Sequence, residues 1–266
     1  MTGRLRVAVV GAAGRMGAAA CRAIAGVDDL DLVAAVHPGS AGRDLGDVLG
    51  DGVGAGITVD DDLAALAGRV DVAVELTRPP HGGPHALQLL DLGIHAVVGT
   101  TGIGDDELAA ISQRADLGVA NAAVVPNFAL GAVLLLRFAE QAARHLPHVE
   151  ILELHHDGKA DAPSGTALRT AELVAGARGH APEQVRGDEE HPGARGNWHH
   201  GVPVHSVRLP GLVAHQEVRF GGTGETLTLR HDSLDRSSFM PGILLAVRGM
   251  ADRPGLTLGL DPFLTG

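Results

Sequence analysis

The most constraining feature of this chain is its first twenty residues. Leu5-Arg6-Val7-Ala8-Val9-Val10 is short, apolar and β-branched, which is the pattern of a strand buried on both faces. It runs into Gly11-Ala12-Ala13-Gly14-Arg15-Met16-Gly17, and Met16 to Ile24 continues as a helix. A strand that feeds a helix through spaced glycines is the opening of a βαβ unit. Gly11 makes the turn, Gly14 lets a pyrophosphate approach the backbone, and Gly17 lets the helix pack on the sheet. Amides at the helix start would hold the anion. The spacing is G-x-x-G-x-x-G and not the commoner G-x-G-x-x-G. Its place after the first strand makes it a candidate dinucleotide site.

The alternation continues. Strands are expected at Leu30–Val36, Val70–Leu76, His95–Gly99 and Gly118–Val125. Helices are expected after Asp60-Asp61-Asp62, over His81–Leu92 and over Asp105–Arg114, since acids suit a helix N-terminus. Such a series implies a parallel sheet covered on both faces. After Asn127 the pattern changes. Phe128–Arg144 reads as a long helix, Val149–Leu154 as a strand and Ser164–Ala177 as a helix. Val202–Leu209, Val213–Phe220 and Thr226–His231 read as strands paired antiparallel. Gly179–Gly201 reads as a mobile loop, and Ser237–Met250 as a last helix before a short tail. The predicted fold class is α/β: a Rossmann-type parallel-sheet nucleotide-binding domain (1–127, with 237–266 packing back on it) and an α+β domain with a mixed sheet (128–236).

The chain of 266 residues has a formal net charge of −11, which argues against nucleic acid and anionic membrane surfaces. Aromatics are 2%, so base-stacking platforms are absent. One cysteine, Cys21, excludes an intrachain disulfide and reads as a small buried hydrophobe. The start lacks a signal-peptide pattern and no run is long enough to span a membrane, so a cytoplasmic location is expected.

Ligands in open parallel sheets bind beyond the carboxyl ends of the strands. Gly99-Thr100-Thr101-Gly102 and Val125-Pro126-Asn127-Phe128 follow such ends and are candidates for holding a nicotinamide. No acid stands at Val36-His37-Pro38, where one usually bonds the ribose 2′-hydroxyl. Arg15 could meet a 2′-phosphate there, a lean towards NADPH.

Lys159 is the only lysine; every other basic residue of this type is arginine. An ammonium differs from a guanidinium in that its surroundings can tune its pKa. It lies in His155-His156-Asp157-Gly158-Lys159-Ala160-Asp161-Ala162-Pro163-Ser164-Gly165-Thr166. Ser164 can cap the following helix, whose amides at Gly165 and Thr166 would face a carboxylate. A lysine, one or two imidazoles and a helix N-terminus suit a small dianion. If the strand stays extended, His155 and His156 face opposite sides, so either it ends at His155 or one histidine is structural. No functional metal is expected: the pair lacks i, i+4 spacing and there is no thiolate cluster. His191, His199 and His200 could bind metal adventitiously. No G-x-S-x-G surrounds Ser164, which argues against a serine nucleophile.

These residues resemble the 4-hydroxy-tetrahydrodipicolinate reductase (dihydrodipicolinate reductase) family, nearly end to end. The most specific match is Glu153 to Ala167, with Gly11–Gly17, Val97–Gly102, Pro126–Phe128 and Gly224–Asp235 in support. The resemblance implies NADH or NADPH as coenzyme, a dicarboxylate substrate of the diaminopimelate route to lysine, and a homotetramer built through the second-domain sheets. It implies His155 as acid/base and Lys159 as proton donor, with His156, Ser164, Gly165 and Thr166 at the substrate. Gly11, Ala12, Ala13, Gly14, Arg15, Met16, His37, Gly99, Thr100, Thr101 and Val125 to Phe128 become coenzyme contacts, and closure is expected near Asn127 and Ser237. Two departures stand out: Glu75-Leu76-Thr77 where the family often has Asp-Phe-Thr, and His37 where many members have an acid. A nucleotide-binding regulator that lost the chemistry, or a dehydrogenase of another small acid, are the alternatives.

Overall fold

The computed structural model describes residues 3–179, 191 and 193–264. It divides into two compact units, 1–129 with 236–266, and 130–235.

In the first unit the order is β1 (Leu5–Val10), α1 (Arg15–Ala25), β2 (Leu30–Val36), α2 (Leu45–Leu49), β3 (Val59–Asp60), β4 (Val72–Glu75), α3 (Gly82–Asp91), β5 (His95–Val98), α4 (Asp105–Ala115) and β6 (Ala122–Val124). The second unit follows with α5 (Leu130–Ala143), β7 (His148–His155), α6 (Gly165–Ala177), β8 (Asn197–His199), β9 (Val202–Arg208), β10 (Ala214–Gly222) and β11 (Glu225–Ser233). The chain then returns to the first unit with α7 (Met240–Gly249) and β12 (Leu256–Leu258).

The first sheet is seven-stranded and parallel throughout, in the order β12-β6-β5-β4-β1-β2-β3. Both of its faces are covered. Ala8, Val10, Ala34, Val36, Ala73 and Val98 pack with Leu89, Leu90 and Ile111 of α3 and α4. On the opposite side Val7, Val9 and Val74 are fully buried, as are Cys21, Ile24 and Ile243 of α1 and α7. Burial pushes the Cys21 thiol up to about 12, so it is inert packing.

Several boundaries differ from the sequence reading, each for a local reason. The segment after Asp62 makes only one 3₁₀ turn (Leu63–Leu66), which the Asp62 carboxylate caps at Ala64. The long helix begins at Leu130, not Phe128, because the Asn127 side chain accepts the Ala129 amide. Phe128 stays with the first unit, where its carbonyl lies against Gly242 of α7. The residues read as a tail supply β12, whose pairing with β6 adds a seventh strand.

The second sheet is mixed, in the order β11-β10-β7-β9-β8. β10 pairs antiparallel with β11 and β7, whereas β9 pairs parallel with β7 and antiparallel with β8. Thus β9 and β10 are not neighbours, contrary to the run of three antiparallel strands expected; β7 lies between them. Helices α5 and α6 cover one face through Leu135, Ala139, Ala171 and Val174 against Val149, Ile151, Val204, Val218 and Phe220. Of the segment read as a mobile loop, residues 180–190 and 192 lie outside the described residues, while Asn197–His199 form β8.

Candidate functional site

Because the first sheet is parallel, its strands all end on one edge, and the crevice lies where β1 separates β2 from β4. Gly11 takes φ +86°, and a Cβ there would lie 2.8 Å from the Leu76 carbonyl. The glycine turn therefore lies directly against the turn after β4. A Cβ on Gly17 would lie 2.1 Å from the Gly11 carbonyl, so helix α1 needs a glycine to pack there. Helix α1 has no side-chain cap and no acid in its first turn, which leaves its positive end for an anion. Arg15 at its start is exposed.

At the end of β2, His37 is half-buried, and its Nδ1 is shielded from solvent with no hydrogen-bond partner. Beyond β5, a Cβ on Gly99 would meet Leu76 at 2.7 Å and Phe128 at 2.8 Å. The turns after β4, β5 and β6 thus converge. Val125 and Phe128 are buried, Thr100 is 4% exposed, and Thr101 and Pro126 are exposed. A glycine turn at an uncapped helix N-terminus, a buried imidazole nitrogen without a hydrogen-bond partner at the end of β2, and converging turns fit a dinucleotide.

The turns are pinned by Glu75, a residue that the sequence reading treated only as part of a departure. Its carboxylate is fully buried and accepts from the Thr77 amide (3.1 Å) and hydroxyl, from His85 Nδ1 (3.2 Å) and from the Thr100 hydroxyl (2.5 Å). Burial opposes its ionisation, but the hydrogen bonds from His85, Thr100 and Thr77 outweigh it and hold the carboxyl below the usual value. Folding therefore favours the ionised form, and that contribution is lost as pH falls below the ordinary value of about 4.3. Glu75→Ala leaves four donors unpaired and is expected to destabilise the chain by about 3 kcal/mol in a urea melt at neutral pH. An unchanged melt would show that water replaces the carboxylate.

The second cluster lies in the other unit. β7 ends at His155, which settles the two-histidine question: His155 is the last strand residue and His156 begins the loop. Residues i and i+2 share a strand face, so Glu153 and His155 point the same way. The Glu153 carboxylate accepts from His155 Nδ1 at 2.5 Å, from Arg208 Nη1 and Nη2 at 2.9 Å each, and from the Ser164 amide at 3.2 Å. Glu153 is completely buried, which raises its pKa, yet donors from His155, Arg208 and Ser206 bring it down to about 2. Ser164 caps α6 by accepting the Ala167 amide. His155 and the α6 N-terminus are thus joined through one carboxylate.

The rest of the loop is more open. His156 is exposed, with its ring near Gly158. Gly165 is exposed, with open space around its Cα, and Thr166 is half-buried. The Lys159 ammonium does not meet His155; it is held by both carboxylate oxygens of Asp161 at 2.7 Å. Glu153, Asp161 and Arg208 were not singled out from sequence, although the i−2 relation of Glu153 to His155 was readable. Among the described residues, Glu172, His199 and His200 bring three donor atoms within 4.8 Å of one another. His191 is not among them, and Glu172 is already engaged by Arg169 at 3.1 Å.

Residues 5–128 match the family model for the dihydrodipicolinate reductase N-terminus, and residues 131–264 that for its C-terminus. The chain is 49% identical to the 4-hydroxy-tetrahydrodipicolinate reductase of Beutenbergia cavernae, covering 98% of each chain. It is also 49% identical to that of Streptomyces griseus, again covering 98% of each. A dipicolinate-bound dihydrodipicolinate reductase from Paenisporosarcina sp. TG-14 superposes with a TM-score of 0.85 at 39% identity, over 97% of this chain and 99% of that one. GenD2 of gentamicin A biosynthesis, in complex with NAD, shares the fold alone at 18% identity and a TM-score of 0.65. Two family models that together span nearly the whole length, and relatives of about half identity end to end, leave one assignment: the chain belongs to the dihydrodipicolinate reductase family of NAD(P)H-dependent oxidoreductases.

Proposed function

We propose that the first unit binds the coenzyme along the strand ends and that the second binds the dicarboxylate at the end of β7. Reduced nicotinamide supplies the hydride. On that reading Gly11 to Met16 hold the pyrophosphate, His37 faces the ribose, and Gly99 to Thr101 with Val125 to Phe128 line the nicotinamide end. In the second unit the α6 amides at Gly165 and Thr166, with Ser164 and His156, hold the carboxylates. Hydride adds to the ring carbon that conjugation makes electrophilic, and negative charge moves towards nitrogen. The Lys159 ammonium stabilises that charge and donates a proton, and His155 acts as acid/base. Lys159 reaches the ligand by exchanging its Asp161 partner for the substrate, a swap of one carboxylate for another.

The observation that carries this reading is the loop from His155 to Ser164. It ties an imidazole and a capped helix N-terminus to one buried carboxylate and carries the chain's only lysine between them. The experiment is oxidation of NADPH or NADH by freshly generated 4-hydroxy-tetrahydrodipicolinate, followed by nicotinamide absorbance. Absence of turnover with both coenzymes would overturn it.

Arg15 and the missing acid at His37 favour a 2′-phosphate. Arg15→Ala is expected to raise the KM for NADPH about tenfold or more and to leave that for NADH nearly unchanged, since a charge-assisted bond contributes about 1.5–3 kcal/mol. Equal effects on both coenzymes would remove Arg15 from that role. We assign a homotetramer formed through the second-unit sheet. Its face away from α5 and α6 carries half-buried Leu152 and Leu154 amid the pairs Glu217–Arg219 and His215–Asp232. A cytoplasmic location accords with a biosynthetic reductase and with no helix long and apolar enough to cross a membrane among the described residues.

A further inference from the structure

We propose that Glu153 and Arg208 are positioning residues for proton transfer: the carboxylate fixes His155 with its proton on Nδ1, which leaves Nε2 as the atom that exchanges a proton with the substrate. The inference rests on the assignment of His155 above and deepens it.

The parallel register of β7 and β9 pairs His155 with Arg208 and Glu153 with Ser206, so the guanidinium arrives beside the imidazole by strand pairing. Each carboxylate oxygen of Glu153 receives at least two donors, with a further side-chain bond from Ser206. Oε2 takes His155 Nδ1 and Arg208 Nη1; Oε1 takes the Ser164 amide and Arg208 Nη2. An ionised carboxylate only accepts, so a neutral imidazole facing it must donate from Nδ1. Its lone pair is then on Nε2, the ring nitrogen remote from the carboxylate. The carboxylate is ionised throughout the neutral range, with its value held at about 2.

Arg208 does more than neutralise Glu153. Its Nε donates to the Lys159 carbonyl at 3.2 Å and its Nη2 to the Asp161 carbonyl at 2.5 Å. One guanidinium therefore sets the imidazole, through Glu153, and the backbone that carries the lysine. A lysine at 208 could not make this set of planar contacts.

Glu153→Gln makes the case testable. One oxygen becomes an amide nitrogen, and in either orientation an Arg208 bond is lost. The orientation that spares the Ser164 amide puts an N–H against His155 Nδ1, which forces the proton to Nε2. Turnover is expected to fall about 100-fold or more, as when a triad carboxylate is replaced by its amide. The affinities for NADPH and for pyridine-2,6-dicarboxylate should change less than about fivefold, a split that general loosening would not give. Histidine ¹⁵N resonances of the whole chain read the tautomer directly, with the His155 signal identified by its loss in His155→Asn. The Nδ1-protonated pattern is expected in the native chain, and this reading does not depend on whether the glutamine variant folds. An Nε2-protonated pattern, or full turnover in a folded Glu153→Gln, would overturn the proposal. Full turnover in His155→Ala would instead overturn the underlying site reading.

Discussion

His155→Ala and Lys159→Ala are each expected to cut turnover by about 10²–10⁴, the usual range for a positioned acid or base. Coenzyme affinity should stay near normal, because both residues belong to the second unit and the glycine turn to the first. Lys159→Arg should not rescue. A guanidinium remains charged at any working pH, so it can stabilise charge but cannot give up a proton. Its planar fork also matches the bidentate carboxylate of Asp161, which holds Lys159 at 2.7 Å, and would compete harder against the substrate. Steady-state kinetics with a parallel coenzyme titration decide the matter. If both alanine variants kept native turnover, the β7 end would not be the reaction centre.

Gly17→Ala is expected to be the most damaging single-methyl change in the glycine turn. Its Cβ would lie 2.1 Å from the Gly11 carbonyl oxygen, 2.7 Å from the Gly11 carbonyl carbon and 2.8 Å from Ala12 Cα. All three are backbone atoms, so no side chain can rotate aside; α1 must move from the turn. Overpacking of this kind costs about 3 kcal/mol, or roughly 6–12 °C in melting temperature for a chain of this size. The same movement displaces the helix amides from the pyrophosphate, so coenzyme affinity should fall by at least about tenfold. A melting scan and a coenzyme titration measure the two effects separately. A native melting point with native affinity would show that α1 does not seat on Gly11 as described.

Much of the first unit was legible because two-faced burial writes itself into sequence as short apolar runs. Leu30–Val36 coincides with β2, and the helix over Asp105–Arg114 is only one residue short of α4. Elements whose stability comes from distant pairing were not legible. β3 has two residues and β12 three, too few to show a period, and each exists because β2 or β6 offers an open edge. The order of β7, β9 and β10 escaped for the same reason: sequence proximity favours β9 beside β10, but β7 binds both. In the second cluster, the reactive types stood out as His155 and Lys159. Their supports did not, because Glu153 and Arg208 are 55 positions apart and meet only through strand register.

The first unit is drawn from both ends of the polypeptide, with residues 130–235 inserted between β6 and α7. During synthesis on the ribosome, β6 must therefore wait as an open edge while the inserted unit emerges and folds, and only afterwards does β12 arrive to cover it. Nascent chains cut short before residue 250 would expose that edge and Asn121, whose side chain otherwise bonds the Met250 carbonyl and the Gly255 amide.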